Sequence, residues 1–172
     1  MGFDSETAFE SALIKCLVEE KGWKDGVIKY PTEKDLLDNW AKIIFENNRD
    51  IDRLGDFPMT DGEMAQIMGQ IAKLRTPLNL NGFINGGTVQ IIRDNENDTH
   101  NFKKTISLKI FDRNEIAAGR TRYQIAQQPK FKAKNSIYPN LRGDFCLLIN
   151  GMPVIHVELK KSNVPVSEAQ YQ

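Results

Sequence analysis

The sequence predicts a mixed α/β fold (α+β in the order of its elements), with helices in the first half and a sheet in the second. Three observations carry that reading. Apolar residues recur at helical spacing in three segments before residue 78, each with a start or stop signal. Short apolar runs of strand length follow from residue 88 onward. Residues 144–160 then form two apolar runs on either side of an Asn-Gly dipeptide, the strongest short-range signal for a hairpin.

The first helix is predicted over 5–21, with Ala8, Phe9, Ala12, Leu13, Cys16 and Leu17 on one face and Gly22 as its stop. A second, over 33–47, is announced by Thr32 with Asp35 three residues on, and buries Leu36, Leu37, Trp40, Ile43 and Ile44. A third, over 61–75, starts from the capping box Thr60-Asp61-Gly62-Glu63 and ends before Pro77. Its Met64, Ile67, Met68, Ile71 and Leu74 read as core packing rather than a cofactor box. Asn81-Gly82 and Asn85-Gly86-Gly87 are predicted turns, and 94–100 a polar loop. Strands are predicted near 88–93, 105–111 and 121–127, then the hairpin, with Ser167 capping a further helix. One domain over 1–172 is expected, mainly helical over 1–78 and sheet-forming over 79–172.

The hairpin carries the chemistry. With a three-residue loop over Asn150 to Met152, Asp144 lies opposite Glu158 and Arg142 opposite Lys160. Side chains two apart on a strand share a face, so Asp144, Glu158 and Lys160 converge. Phe145, Leu147, Ile149, Ile155, Val157 and Leu159 then form the core side. A two-residue loop would set Asp144 against Val157 and split the acids between faces. Two carboxylates in direct register repel unless a cation lies between them, and a hard, oxygen-seeking ion such as magnesium answers that. Against this stands the ordinary reading, in which acids at strand ends are solvated surface groups.

Net charge over the whole chain is zero, but it is unevenly spread. Residues 1–63 carry 15 acids and 8 bases, whereas 120–161 carry 8 bases and only two acids, Asp144 and Glu158. Arg142, Lys161, Lys130, Lys132 and Lys134 are therefore candidate DNA contacts, because a basic neighbourhood suits a phosphate backbone. The alternative is that the three lysines at 130, 132 and 134 form a solvated edge. Cys16 and Cys146 read as small buried hydrophobes in a reducing compartment. With no signal peptide and no bilayer-length apolar run, a cytoplasmic protein without membrane contact is expected. No phosphate-binding G-x-x-x-x-G-K-[ST] loop occurs, which excludes ATP binding by that route. Nucleophile triads and zinc-type Cys/His spacings are also missing from the sequence.

Arg142-x-Asp144, the apolar run, Asn150-Gly151-x-Pro153, the second apolar run and Glu158-Leu159-Lys160 together resemble the PD-(D/E)xK nuclease motif. The form is that of the R subunit of type I restriction-modification enzymes. The likeness extends to 161–169 and Gln172, to Thr105–Asp112, Asn114 and Tyr123–Gln128, and loosely to the Ser5–Trp23 helix. It implies a restriction-endonuclease-like mixed central sheet flanked by helices, within a fragment of a larger subunit. It also implies a magnesium-dependent endonuclease acting on double-stranded DNA. Asp144, Glu158 and the Leu159 carbonyl would hold the metal, and Lys160 would position the attacking water. An acid on the first helix can reach such a site, which makes Glu10 a candidate accessory acid and Glu6 a weaker one. His156 shares the predicted site face but reads more readily as a satisfied core histidine. Methyltransferase and specificity subunits would be partners, and ATP would serve only the full-length subunit.

Two departures from the family pattern stand out. Gly143 occupies the position where the family usually has Pro. Gln172 would open a Gln-x-x-x-Tyr element whose Tyr lies past this sequence. A non-catalytic docking or DNA-binding domain that keeps the fold, and a stand-alone PD-(D/E)xK nuclease, are the alternative readings.

Overall fold

The computed structural model describes residues 5–112, 114, 121–132 and 141–159. The chain forms two compact units, one of residues 1–36 and 122–172, the other of residues 37–121. The expected order of elements holds in outline, as a mixed α/β chain of four helices and eight short strands among the described residues.

In the first unit, α1 (Glu6–Glu20) is capped by Ser5, whose hydroxyl accepts the Ala8 N–H at 3.1 Å. Its buried positions are Glu10 and Ile14, with Leu13, Leu17 and Val18 partly covered. Of the face expected from sequence, Leu13 and Leu17 pack inward, whereas Ala8 is exposed and Ile14 and Val18 join the packed side. Ile14, Leu17 and Val18 bury more apolar surface than alanines can, and that area decides which face turns inward.

Beneath α1 runs a four-stranded sheet in the order β1 (Val27–Lys29), β4 (Tyr123–Gln127), β7 (Phe145–Ile149), β8 (Met152–Val157). β1 lies parallel to β4, with Val27 beside Ile125, and the remaining pairs are antiparallel. One face presents Val27, Ile125, Phe145, Leu147, Val157 and Leu159 to Ile14 and its neighbours on α1. The other presents Ile28, Ala126, Cys146 and Leu148 to Leu36, in the first turn of α2 (Glu33–Asn47), and to Phe131. Coverage on both faces explains why β4 and β7 are buried along their length instead of alternating. It also corrects the one-sided core expected for the hairpin. Ile155, assigned there to the core, is half exposed on the edge strand β8, which also accommodates Pro153. A two-stranded ribbon, β5 (Lys130–Phe131) with β6 (Leu141–Arg142), leads from β4 towards β7.

The second unit contains the rest of α2, then α3 (Asp61–Ile71), α4 (Pro77–Ile84), β2 (Thr88–Ile92) and β3 (Thr105–Lys109). β2 and β3 pair antiparallel, placing Val89 opposite Leu108 and Ile91 opposite Ile106, all four buried. The Thr60–Glu63 capping box at the start of α3 is formed as expected. Gln66 and Gln70 on α3 bond the backbone of Ile92 and Gln90, satisfying the outer edge of β2. Fully buried Asn48 does the same for β3, donating to the Lys109 carbonyl at 2.9 Å and accepting its N–H at 2.8 Å.

Arg93 is fully buried between Glu63 at 2.7 Å and Asp98 at 2.8 Å. The helix α4 stands where Asn81-Gly82 predicts a turn. Thr76 caps it and Pro77 sits in its first turn; α3 ends at Ile71, short of the residue 75 expected, so the proline starts a helix rather than ending one.

Candidate active site

The hairpin turns on two residues. Asn150 and Gly151 both have positive φ, 50° and 84°, the requirement of a type I′ turn. Ile149 pairs with Met152 and Leu148 with Pro153, which is the two-residue register that splits the acids. The ladder then shifts between Leu148 and Leu147, leaving Val154 as an extra residue, and resumes as Leu147–Ile155, Cys146–His156 and Phe145–Val157. Continued by one position, that register sets Asp144 opposite Glu158. The expected three-residue loop is therefore wrong at the turn, while the pairing it predicted near the acids is recovered through the bulge.

Buried Asn150 fixes the turn further, because its Oδ1 accepts the Arg122 N–H at 2.9 Å at the entry to β4.

Asp144 is half-buried just before β7. Its carbonyl accepts the Gln128 N–H at 2.7 Å, and its carboxylate accepts the Leu159 N–H at 2.5 Å. The backbone after Glu158 thus orients the Asp144 carboxylate. Glu158 keeps 27% of its side chain exposed, and its Oε1 lies 2.9 Å from His156 Nε2. The His156 side chain is 52% exposed, so it is not the satisfied core histidine that its apolar strand suggested.

Both side chains lie over Gly143, where an added Cβ would come 2.5 Å from His156 Nε2 and 3.5 Å from Glu158 Oε1. Glycine at 143 makes room for the imidazole. The field of Glu158 is felt at Cys146, whose thiol is pushed up first by burial and then by that carboxylate.

Glu10 is 4% exposed on α1. Its carboxylate accepts from Gln127 Nε2 at 2.7 Å and from Gln128 Nε2 at 3.3 and 3.1 Å. Gln128 in turn accepts from the Arg142 guanidinium. Sequence reasoning gave Gln127 and Gln128 no site role, and their signal was weak: two amides closing a strand. Among the described residues, no group of three or more His, Cys, Asp and Glu is gathered closely enough to hold a metal ion.

Of the predicted DNA contacts, Lys130, Lys132 and Arg142 are exposed, and Lys130 pairs across the ribbon with Arg142. The predicted opposition of Arg142 and Lys160, together with Lys134, Lys161 and Gln172, falls outside the described residues.

A family model described as type I restriction enzyme R protein N terminus (HSDR_N) matches residues 4–172. The chain is similar to the type I restriction enzyme SsaAORF53P endonuclease subunit of Staphylococcus saprophyticus, 28% identical over 173 residues. That alignment covers 98% of this chain and 16% of the relative. The type I restriction enzyme SauCOLORF180P endonuclease subunit of Staphylococcus aureus strain COL is 28% identical over 171 residues, with the same coverage of each chain. A third, the SauMSSORF170P endonuclease subunit of Staphylococcus aureus strain MSSA476, is 27% identical over 174 residues, again over 98% of this chain and 16% of its own. The chain thus spans 16% of the length of these curated relatives.

Proposed function

The chain belongs to the family of type I restriction enzyme R protein N termini, and from that premise we propose that it is the DNA-cleaving module of such an enzyme. The reaction would be magnesium-dependent hydrolysis of a phosphodiester in double-stranded DNA. The observation that carries this is the recovery of the Asp144–Glu158 register through the Val154 bulge, beside a Leu159 N–H that orients Asp144.

The donors suit a hard divalent ion in kind: two carboxylates, both partly accessible, with a backbone carbonyl at Leu159 as the third oxygen. Asp144, Glu158 and Leu159 would hold it. When bound, the ion would supply a Lewis acid at a phosphate oxygen and a lowered pKa for bound water.

The chain's own groups do the rest. The Leu159 N–H holds Asp144 in one orientation. Lys160 places the attacking water and offsets charge building on the phosphorus. Glu10, fixed by two glutamine amides, is the accessory acid of this reading, and Arg142, Lys130, Lys132, Lys134, Lys161 and Gln172 are its DNA contacts.

In the whole subunit, ATP would be used by other parts of the polypeptide, with methyltransferase and specificity subunits as partners in the cytoplasm. No helix among the described residues is long and apolar enough to cross a membrane.

A second reading, a docking or DNA-binding domain that keeps the fold without cleavage, draws on the His156 contact that already engages Glu158. Cleavage of plasmid DNA in magnesium separates the two. Asp144→Ala, Glu158→Ala and Lys160→Ala should each abolish cutting while leaving the circular dichroism spectrum unchanged. Undiminished cutting by a folded Glu158→Ala protein would overturn the nuclease assignment.

A further inference from the structure

Tyr30 follows β1 with a φ of 55°, and its N–H donates to the Gln127 carbonyl at 2.8 Å. The left-handed region costs a non-glycine residue about 1 kcal/mol or more. The ring is 51% exposed, so it gains little from the core in return.

What lies against the ring is charged. Lys130 Nζ and the Arg142 guanidinium carbon are each 5.8 Å from its centroid. These two cations are also direct cross-strand partners in the β5–β6 ribbon. Like charges in that position repel, and the face of a ring offsets only part of the cost. Neither cation has a carboxylate within ion-pair distance among the described residues; Arg142 donates to the Gln128 side-chain carbonyl instead. Lys132, exposed and two residues on, adds a third positive charge to the same edge. An aromatic ring held outward at a backbone cost, gathering two uncompensated cations, is a site arranged for an anion.

We infer that Tyr30, Lys130 and Arg142 form a binding site for one backbone phosphate of a nucleic-acid strand. The Arg142 fork and the Lys130 ammonium take the phosphate oxygens, and the Tyr30 ring holds the two side chains together in advance. Arg142 stands two residues before Asp144, so a strand held there runs beside the hairpin acids. The choice of DNA as ligand rests on the function proposed above. The role given to Tyr30 does not follow from that proposal and is tested separately.

The test is binding of a fluorescein-labelled DNA duplex to the 172-residue chain in EDTA, followed by anisotropy over a salt series. Lys130→Gln and Arg142→Gln should each weaken binding roughly three- to tenfold and lower the salt slope by about one. Tyr30→Leu should weaken it about two- to fivefold, the range of an exposed cation–π contact, and Tyr30→Phe should retain wild-type affinity. In a Lys130→Gln/Arg142→Gln background, Tyr30→Leu should have no further effect. Unchanged melting curves exclude misfolding as the cause.

Wild-type affinity in Tyr30→Leu, an undiminished effect of that change in the double background, or no DNA binding by the unaltered chain would each overturn the inference. Glu158→Gln separates it from the cleavage reading, since that variant should fail to cut in magnesium yet still lose affinity in EDTA when Lys130→Gln or Arg142→Gln is added. A chain that never cuts, but loses affinity in the patch variants as described, would keep the phosphate site and discard the nuclease.

Discussion

Replacing Gly143 with alanine adds one methyl group to the most crowded point of the candidate site. The residue is not among those with positive φ, and alanine keeps the N–H that bonds the Pro129 carbonyl at 3.2 Å. The whole effect therefore comes from the new Cβ, which would stand 2.5 Å from His156 Nε2. That is inside any tolerable contact, so the imidazole must leave. Being 52% exposed, it has solvent to swing into.

Loss of a partly exposed His156–Glu158 contact costs about 0.2–1 kcal/mol. Alanine in place of glycine returns about 0.4–1 kcal/mol by restricting the unfolded chain. The two nearly cancel, which leaves the melting temperature within roughly 2–4 °C of the parent for a chain of this length. The chain has two histidines, so imidazole resonances assign readily, with His100 as the internal control. The His156 signals should shift and the His100 signals should stay. Unmoved His156 signals would refute the geometry, and a fall of more than about 8 °C would show that Gly143 supports the fold beyond making room for His156.

Other outcomes follow from the buried charges and the two cysteines. Arg93→Met should destabilise the protein by about 3–5 kcal/mol in chemical denaturation, because it leaves Glu63 and Asp98 buried without their cation. Adding Glu63→Gln and Asp98→Asn should recover part of that loss. For Asp98, burial alone raises the pKa, but hydrogen bonds from Arg93 and Asn101 outweigh it and the net shift is downward. Its stabilisation is therefore complete above the ordinary carboxylate pKa and lost as the pH falls through the lowered value, so Asp98→Asn should flatten the acid limb of a stability–pH curve. Cys146, buried and with its thiol pushed up by burial and by Glu158, should react with iodoacetamide far more slowly than the less buried Cys16 under native conditions.

Much of this molecule could be read before its coordinates. The capping signals at Thr32 and Thr60 and the apolar spacing of α2 and α3 located those helices, because local hydrogen bonds and a single buried face determine them. The hairpin was legible from Asn150-Gly151. Its turn length was misjudged because a bulge has no composition signal of its own, and Val154 looks like any strand residue. β1 escaped notice at three residues, too short for periodicity to register, and it exists through parallel pairing with a strand about a hundred positions away. The buried face of α1 was legible at Leu13 and Leu17 but not at Ile14 and Val18, because the packed sheet, not the helix, decides which residues turn inward. Asp144 and Glu158 stood out as candidates from their spacing. The Gln127–Gln128–Glu10 bonds and the Tyr30 platform were not, since each joins residues that meet only through the tertiary fold.

The proposed nuclease reading requires Asp144 and Glu158 to act together as ligands of one divalent cation. Isothermal titration of the 172-residue chain with magnesium chloride, repeated for Asp144→Asn and Glu158→Gln, tests it without reference to cleavage. Saturable binding by the unaltered chain, absent in both folded variants, is the predicted result. Undiminished binding in either variant, or no binding by the unaltered chain, would rule out a shared cation at these two carboxylates.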